Sequence, residues 1–243
     1  MTTSPSNVTL PIAEVFTSIH GEGFWAGTPM TFIRLAGCTV GKVFQNNGPD
    51  PVDFPMFPDG KHNFVCTTFD GRTFPCDTDY RRTDVKTVDE LMDEIPSWIK
   101  HVCITGGEPF MHQKLLFLLC TKLRKRDITV HFETSGTILI DAFFRDTGYY
   151  ITCSPKANYL PDNLKRGVGE VRIMVDGEIK ETDIRKVLDC VYDKNTHIFF
   201  APLSSPHSVT EFDPESMAKA QELLQQFPGS RISIQMHKVL NVR

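Results

Sequence analysis

Two kinds of apolar pattern alternate along most of the chain. Short runs rich in β-branched and aromatic residues read as buried strands: HVCIT at 101–105, ITVHFET at 128–134, YYITCS at 149–154, GEVRIMVD at 169–176 and THIFFAPL at 196–203. Between them lie segments with helical apolar spacing: QKLLFLLCTKLRKR at 113–126, LIDAFFRD at 139–146, ETDIRKVLDCVYDK at 181–194 and DPESMAKAQELLQQF at 213–227. An earlier helix, TVDELMDEIPSWIK, opens on Thr87 with Glu90 three residues on, the signature of a capping box. The segment at 113–126 ends on basic residues, as the helix dipole prefers. Two N-terminal strands, IAEVFTSI and MTFIRLAG, precede this series, and RISIQMHKVL at 231–240 reads as a last strand.

Such alternation predicts a mostly parallel sheet with helices packed on it. Right-handed crossovers would curve that sheet into an open or partial barrel. Chemistry in such folds gathers at the C-terminal ends of strands. The unusual peptides fall there: GC after MTFIRLA, TGGEP after HVCI, ETSG after ITVHF, SPK after YYITC and APLS after THIFF. The organisation expected is a short disordered lead-in over 1–10 and one domain over 11–243. Residues 41–75 form a long irregular connection, which in a compact domain is functional or disordered.

The 243 residues suffice to bury a real core, and 40% hydrophobic with 23% charged residues is ordinary for a globular protein. A net charge of −4 gives no whole-protein attraction to nucleic acid or to an anionic membrane. No apolar run approaches the roughly 20 residues that span a bilayer. The N-terminus lacks the pattern of a signal peptide, so a cytoplasmic location is expected. There a disulfide framework is not expected for the seven cysteines. Cys103, Cys120 and Cys190 lie in apolar runs and Cys153 at a strand end, all expected as small buried hydrophobes.

Cys38, Cys66 and Cys76 differ, lying in a Gly/Pro/Asp-rich region. Three thiolates are one short of a closed zinc site and suit an iron–sulfur cluster with one open iron. Their spacing, with 27 and nine residues between them, leaves unligated loop cysteines as an alternative. In Thr105-Gly106-Gly107-Glu108-Pro109 the paired glycines permit close approach of backbone to a ligand, or form a plain turn. Arg34 is a charge inside an apolar strand and calls for a partner, either a carboxylate ligand or an internal ion pair. Glu133 and Lys156 end apolar strands, where a site or a rim charge fits equally.

In this order the peptides FTSIHGEGFWAGTPMTFIRLAGC, CDTDY, TGGEP, HFETSG, SPKA and QMHKVLN resemble the 7-carboxy-7-deazaguanine synthase family of radical SAM (S-adenosylmethionine) enzymes. The resemblance runs from about residue 12 to the C-terminus, and the ordered combination is specific where each piece is weak. It implies an α/β fold, an incomplete (β/α) barrel of the radical SAM type with a mostly parallel sheet and helices outside, and a homodimer. The implied reaction converts 6-carboxy-5,6,7,8-tetrahydropterin to 7-carboxy-7-deazaguanine with loss of ammonia. A [4Fe–4S] cluster, SAM and Mg²⁺ are the implied cofactors, and a flavodoxin- or ferredoxin-type protein the implied electron donor. No direct nucleic-acid or membrane contact is implied.

Carried over by motif, Cys38, Cys66 and Cys76 would hold the cluster, in a binding loop expanded over 38–78. Thr78 would bind Mg²⁺. SAM would be met by Gly107, Glu133, Ser154, Lys156 and the turn Ala201, Pro202, Leu203 and Ser204. The pterin would be met by Ile19, His20, Gly21, Arg34, Thr105 and the terminal Arg243. This chain departs from the family in having His20 where Gln is common, in both expanded cysteine gaps, and in ending on Arg243 where relatives end in Pro. A glycyl-radical activase and a zinc-stabilised binding protein are the competing assignments.

Overall fold

The alternating strands and helices assemble into one curved sheet with helices against its outer face. The computed structural model describes residues 8–41, 64–76, 78, 80–205 and 208–242. Its strands in chain order are β1 (Thr9–Ile19), β2 (Pro29–Leu35), β3 (Phe64–Thr67), β4 (Thr73–Cys76), β5 (Asp84–Thr87), β6 (His101–Gly106), β7 (Thr129–Thr134), β8 (Tyr150–Cys153), β9 (Glu170–Val175), β10 (His197–Pro202), β11 (Ser204–Ser205), β12 (Ser208–Phe212) and β13 (Arg231–Ile232). The helices are α1 (Val88–Asp93), α2 (Gln113–Lys125), α3 (Ala142–Asp146), α4 (Glu181–Leu188), α5 (Pro214–Gln226) and α6 (Met236–Val239).

Among the described residues the main sheet has nine strands in the order β13-β10-β9-β8-β7-β6-β2-β1-β5. From β2 to β13 every pairing is parallel, while β1 is antiparallel to both β2 and β5. The two edges, β13 and β5, do not pair with each other, so the sheet is an incomplete barrel.

Period-2 alternation sorts each strand into two faces. Ile33 and Leu35, Val102 and Ile104, Val130 and Phe132, and Val171, Ile173 and Val175 point outward into the main core. α2 completes that core with Leu116, Leu119, Cys120 and Leu123, buried at helical spacing. Each such fully buried side chain contributes about 1.5–3 kcal/mol. The expected capping box on α1 is formed: Glu90 N–H donates to Thr87 Oγ1 at 3.2 Å and Thr87 N–H to Glu90 Oε2 at 2.7 Å.

Several expectations change. β1 starts at Thr9 and fully buries Leu10, so the main sheet includes part of the segment read as lead-in. Only Arg231–Ile232 of the terminal segment is strand, and Met236–Val239 of the QMHKVL stretch turns helical. The long irregular connection contains a hairpin, β3–β4. Cys190 is only partly buried and its thiol donates to the Lys186 carbonyl, whereas Cys103, Cys120 and Cys153 are buried as expected. No described helix is long and apolar enough to cross a membrane.

Candidate active site

The inner face of the barrel is polar where the outer face is apolar. Its floor is aromatic: His101 Nδ1 and His131 Nε2 lie 2.9 Å apart under Trp25 and Tyr150. Met30, Phe32 and Cys103 form a small inner cluster beside it, Cys103 being the register partner of both His131 and Phe32.

At mid-height stands an ionic knot around Arg172, which is buried on β9. Its guanidinium donates to Glu170 at 2.7 Å, to Glu133 at 3.2 Å and to Glu22. His20 Nε2 lies 3.4 Å from Glu133 Oε1, and Thr105 Oγ1 donates to Glu133 Oε2 at 3.3 Å. Burial alone would raise the Glu133 carboxyl. The His20 hydrogen bond and the Arg172 charge outweigh it and hold the group well below the usual carboxylate range. Burial likewise disfavours the Arg172 cation, and Glu22, Glu170 and Glu133 more than restore it.

Of the two alternatives open for Arg34, the structure contains the internal ion pair. Its Nε donates to Glu14 at 2.8 Å and its Nη1 to Thr78 Oγ1 at 3.0 Å. The inner charge is therefore an internal ion pair that also reaches the Cys-Asp-Thr peptide.

The three cysteines expected to hold a cluster sit at the C-terminal rim. Cys38 follows β2, and its Sγ accepts from the backbone N–H groups of Val40 at 3.4 Å and Gly41 at 3.3 Å. Cys66 pairs with Phe74 and Cys76 with Phe64 across the β3–β4 hairpin. The hairpin is tied to the barrel by Ala157 N–H to the Thr67 carbonyl at 2.9 Å, by a Thr68–Lys156 bridge and by an Arg72–Asp176 ion pair. Lys156 Nζ lies over the Phe74 ring at 5.2 Å and 3.4 Å from Ser154 Oγ, so the Ser-Pro-Lys turn abuts the hairpin. A Cβ on Gly107 would overlap the Gly37 carbonyl and Cys38 Cβ, so the second glycine of TGGEP is what lets this loop lie against the cysteine.

Three thiols from two elements, with Cys103, Cys120 and Cys153 all buried within elements of the fold, fit a cluster with one iron left open. Among the described residues the three do not converge as ligands of a single ion would. The one group with three or more such donors all within 4.8 Å of one another is His20, Cys103 and Glu133.

The remaining expected residues divide between the two ends of the barrel: Ile19 lies at the level of the start of β2, whereas Leu203 and Ser204 follow the end of β10. Ile19 pairs with Pro29 at the end of β1, and His20 N–H and C=O are engaged by Thr28 and Gly27. A Cβ on Gly21 would overlap the His237 ring, and Met236 N–H donates to the Gly21 carbonyl at 2.8 Å, which brings the terminal QMHKVLN peptide onto the His-Gly-Glu-Gly turn. Ala201 and Pro202 are buried at the end of β10, Leu203 N–H donates to Val175 C=O, and Ser204 Oγ to Gln235 Oε1 at 2.9 Å. Arg243 lies outside the described residues.

Sequence reasoning missed Glu22, Arg172 and Glu108 as organisers. Glu108 is fully buried and accepts from Phe110 N–H, Thr134 Oγ1, Ser135 N–H and Ser135 Oγ, which fastens TGGEP to the end of β7. Charged residues in an apolar run, as at Glu170 and Arg172 in GEVRIMVD, were the available signal.

No family model matches the chain. A curated 7-carboxy-7-deazaguanine synthase of Synechocystis is 30% identical, with 97% of this chain and 95% of that protein covered. The chain belongs to the 7-carboxy-7-deazaguanine synthase family. Family members from Aquifex aeolicus and Escherichia coli are 27% and 28% identical over 96% of this chain, covering 94% and 98% of their own lengths. The crystal structure of QueE from Escherichia coli shares the fold, with a TM-score of 0.66 at 23% identity over 95% of this chain and 96% of that one. The nine-residue gap between Cys66 and Cys76, weak as a sequence signal, is thus closed by the turn of a hairpin on the family's fold.

Proposed function

We propose that the chain is a radical SAM carbon–nitrogen lyase that converts 6-carboxy-5,6,7,8-tetrahydropterin to 7-carboxy-7-deazaguanine with release of ammonia, in 7-deazapurine biosynthesis. The observation that carries this is the rim. Cys38 and the cysteines of the β3–β4 hairpin stand at the mouth of a polar barrel interior in a chain of the synthase family.

Cys38, Cys66 and Cys76 would hold the [4Fe–4S] cluster, and SAM would complete the open iron. The bound pair would supply the one-electron reductive chemistry of a radical SAM enzyme. Everything else falls to the chain's own side chains. Arg34 presents a guanidinium to the pterin carboxylate, and its contact with Thr78 puts the proposed Mg²⁺ ligand beside the same carboxylate. Glu133, kept ionised by Arg172, accepts from the ribose hydroxyls of SAM. Thr105 fixes that carboxylate from β6. Gly107, Ser154, Lys156 and Ala201 to Ser204 form the backbone wall around SAM. Ile19, His20 and Gly21 meet the pterin edge, and Arg243 closes that side.

A homodimer, a flavodoxin- or ferredoxin-type donor and a cytoplasmic location complete the proposal. The test is an anaerobic incubation with SAM, dithionite, Mg²⁺ and carboxytetrahydropterin, read by mass. Formation of 7-carboxy-7-deazaguanine is expected. SAM cleavage without that product would remove the substrate assignment and leave the cluster chemistry standing.

A further inference from the structure

His20, Cys103 and Glu133 bring a nitrogen, a sulfur and an oxygen within 4.8 Å of one another inside the barrel, from three different elements. That donor set is the one borderline transition-metal ions take. The first argument concerns the His20 ring. Its Nδ1 is 2.7 Å from the Glu22 carbonyl oxygen. A carbonyl only accepts, so Nδ1 carries the hydrogen, and the Glu22 N–H at 3.4 Å is at most a minor partner. In the neutral ring this leaves the Nε2 lone pair aimed at Glu133. Metal-binding histidines are oriented in this way, with the other ring nitrogen tied to a carbonyl.

The second argument is the gap itself. Nε2 and Glu133 Oε1 face each other at 3.4 Å, a contact that a ring proton bridges in the His20–Glu133 hydrogen bond and that a metal ion in its place would bridge as well. Zinc bonds to N and O of roughly 2.0–2.1 Å give a tetrahedral edge of about 3.3–3.4 Å. The third donor, the Cys103 thiol, lies within 4.8 Å of both, so it needs an adjustment of at most about 1.3 Å to reach its own edge of about 3.5 Å. A third argument is charge. Glu22, Glu133 and Glu170 surround one guanidinium, Arg172, so the knot carries an excess of carboxylate. Burial and the Glu133 charge keep the Cys103 thiol protonated, and a bound divalent ion deprotonates a coordinating thiol outright.

We propose that His20, Cys103 and Glu133 form a second metal site, for a borderline divalent ion of the zinc type, distinct from the cluster cysteines and from Thr78. The metal site does not depend on the pterin assignment. One consequence does: an ion held there occupies His20 and Glu133 and excludes pterin and SAM.

The test is zinc binding to the anaerobically reconstituted, cluster-loaded chain, followed by equilibrium dialysis with metal analysis and by X-ray absorption at the zinc edge. One zinc per protomer is expected beyond the iron, with one sulfur and otherwise light ligands. Cys103→Ala and His20→Gln should each weaken it at least about 100-fold, the scale reached by loss of even an outer-shell partner, with iron content unchanged. The pair of variants guards against one of them misfolding. No zinc uptake, equal uptake by both variants, or a sulfur-rich shell from captured cluster cysteines would each overturn the site. The first of these results would leave a proton as the cation shared by His20 and Glu133. A chain that binds zinc as described yet makes no deazaguanine would retain the site and lose only the proposed reaction.

Discussion

Cys66 and Cys76 lie two register positions apart on one face of the β3–β4 hairpin, because Cys66 opposes Phe74 and Cys76 opposes Phe64. Diagonal neighbours of this kind are several ångströms apart and point the same way. Nine intervening residues therefore deliver two thiols side by side, as a tight cysteine loop would.

Period-2 geometry makes the hairpin testable. Moving the first thiol by one position, in the double variant Cys66→Ala/Thr67→Cys, points it at the opposite face. The expected result is loss of reconstituted iron with the fold intact by circular dichroism. Normal iron loading would show that the loop, not the hairpin register, positions the ligand.

Gly107 offers a second check. The Gly107→Ala methyl overlaps the Gly37 carbonyl and Cys38 Cβ, which are backbone or close to it and cannot swing aside. Iron content and SAM cleavage should fall together. A variant with full iron and normal SAM cleavage would contradict the close packing of the two loops.

Arg34 separates substrate binding from cluster assembly. Arg34→Ala should lower kcat/KM for the pterin about 100-fold, the scale of a lost charge-assisted pair, while iron content holds. Arg34→Lys should recover only part of this, since an ammonium lacks the planar fork. Parallel loss of iron and turnover would assign Arg34 a structural role through Glu14.

The strands and helices of the parallel region were legible because apolar period and turn chemistry agree there. TVDELMD carried its own capping box, and HVCIT could only be a buried strand. The hairpin was hidden because FVCT and TFPC are too short, and too mixed with Gly, Pro and Asp, to show a period. QMHKVL misled because its apolar residues suit a strand as well as a short helix, and contact with Gly21 decides between them. The placement of Thr105, Glu133 and the Ser-Pro-Lys turn at or just beyond strand ends was readable from position. Arg172 and Glu108 were not, because their roles lie in partners 26 to 150 residues away in sequence.

Acid should destabilise the fold through the floor of the barrel. Burial, then the charges of His101 and His20, push the His131 imidazole down to about 3. The folded value lies below the unfolded one of roughly 6.5, so between these limits the unfolded chain binds more protons and stability falls as pH falls. A loss of about 2 kcal/mol is expected between pH 7.5 and pH 5. Urea unfolding of the iron-free chain at both pH values should show it, and His131→Gln should remove most of the difference. An unchanged difference in the variant would place the acid sensitivity elsewhere.

The central claim is that Cys38, Cys66 and Cys76 together hold the iron–sulfur cluster. Its most direct test is iron and sulfide analysis, with visible and EPR spectra, of the anaerobically reconstituted chain beside Cys38→Ala, Cys66→Ala and Cys76→Ala. A full [4Fe–4S] complement in the parent chain and its loss in each variant is the predicted result. Retention of the cluster in any one of the three, or zinc in place of iron in the parent, would contradict it.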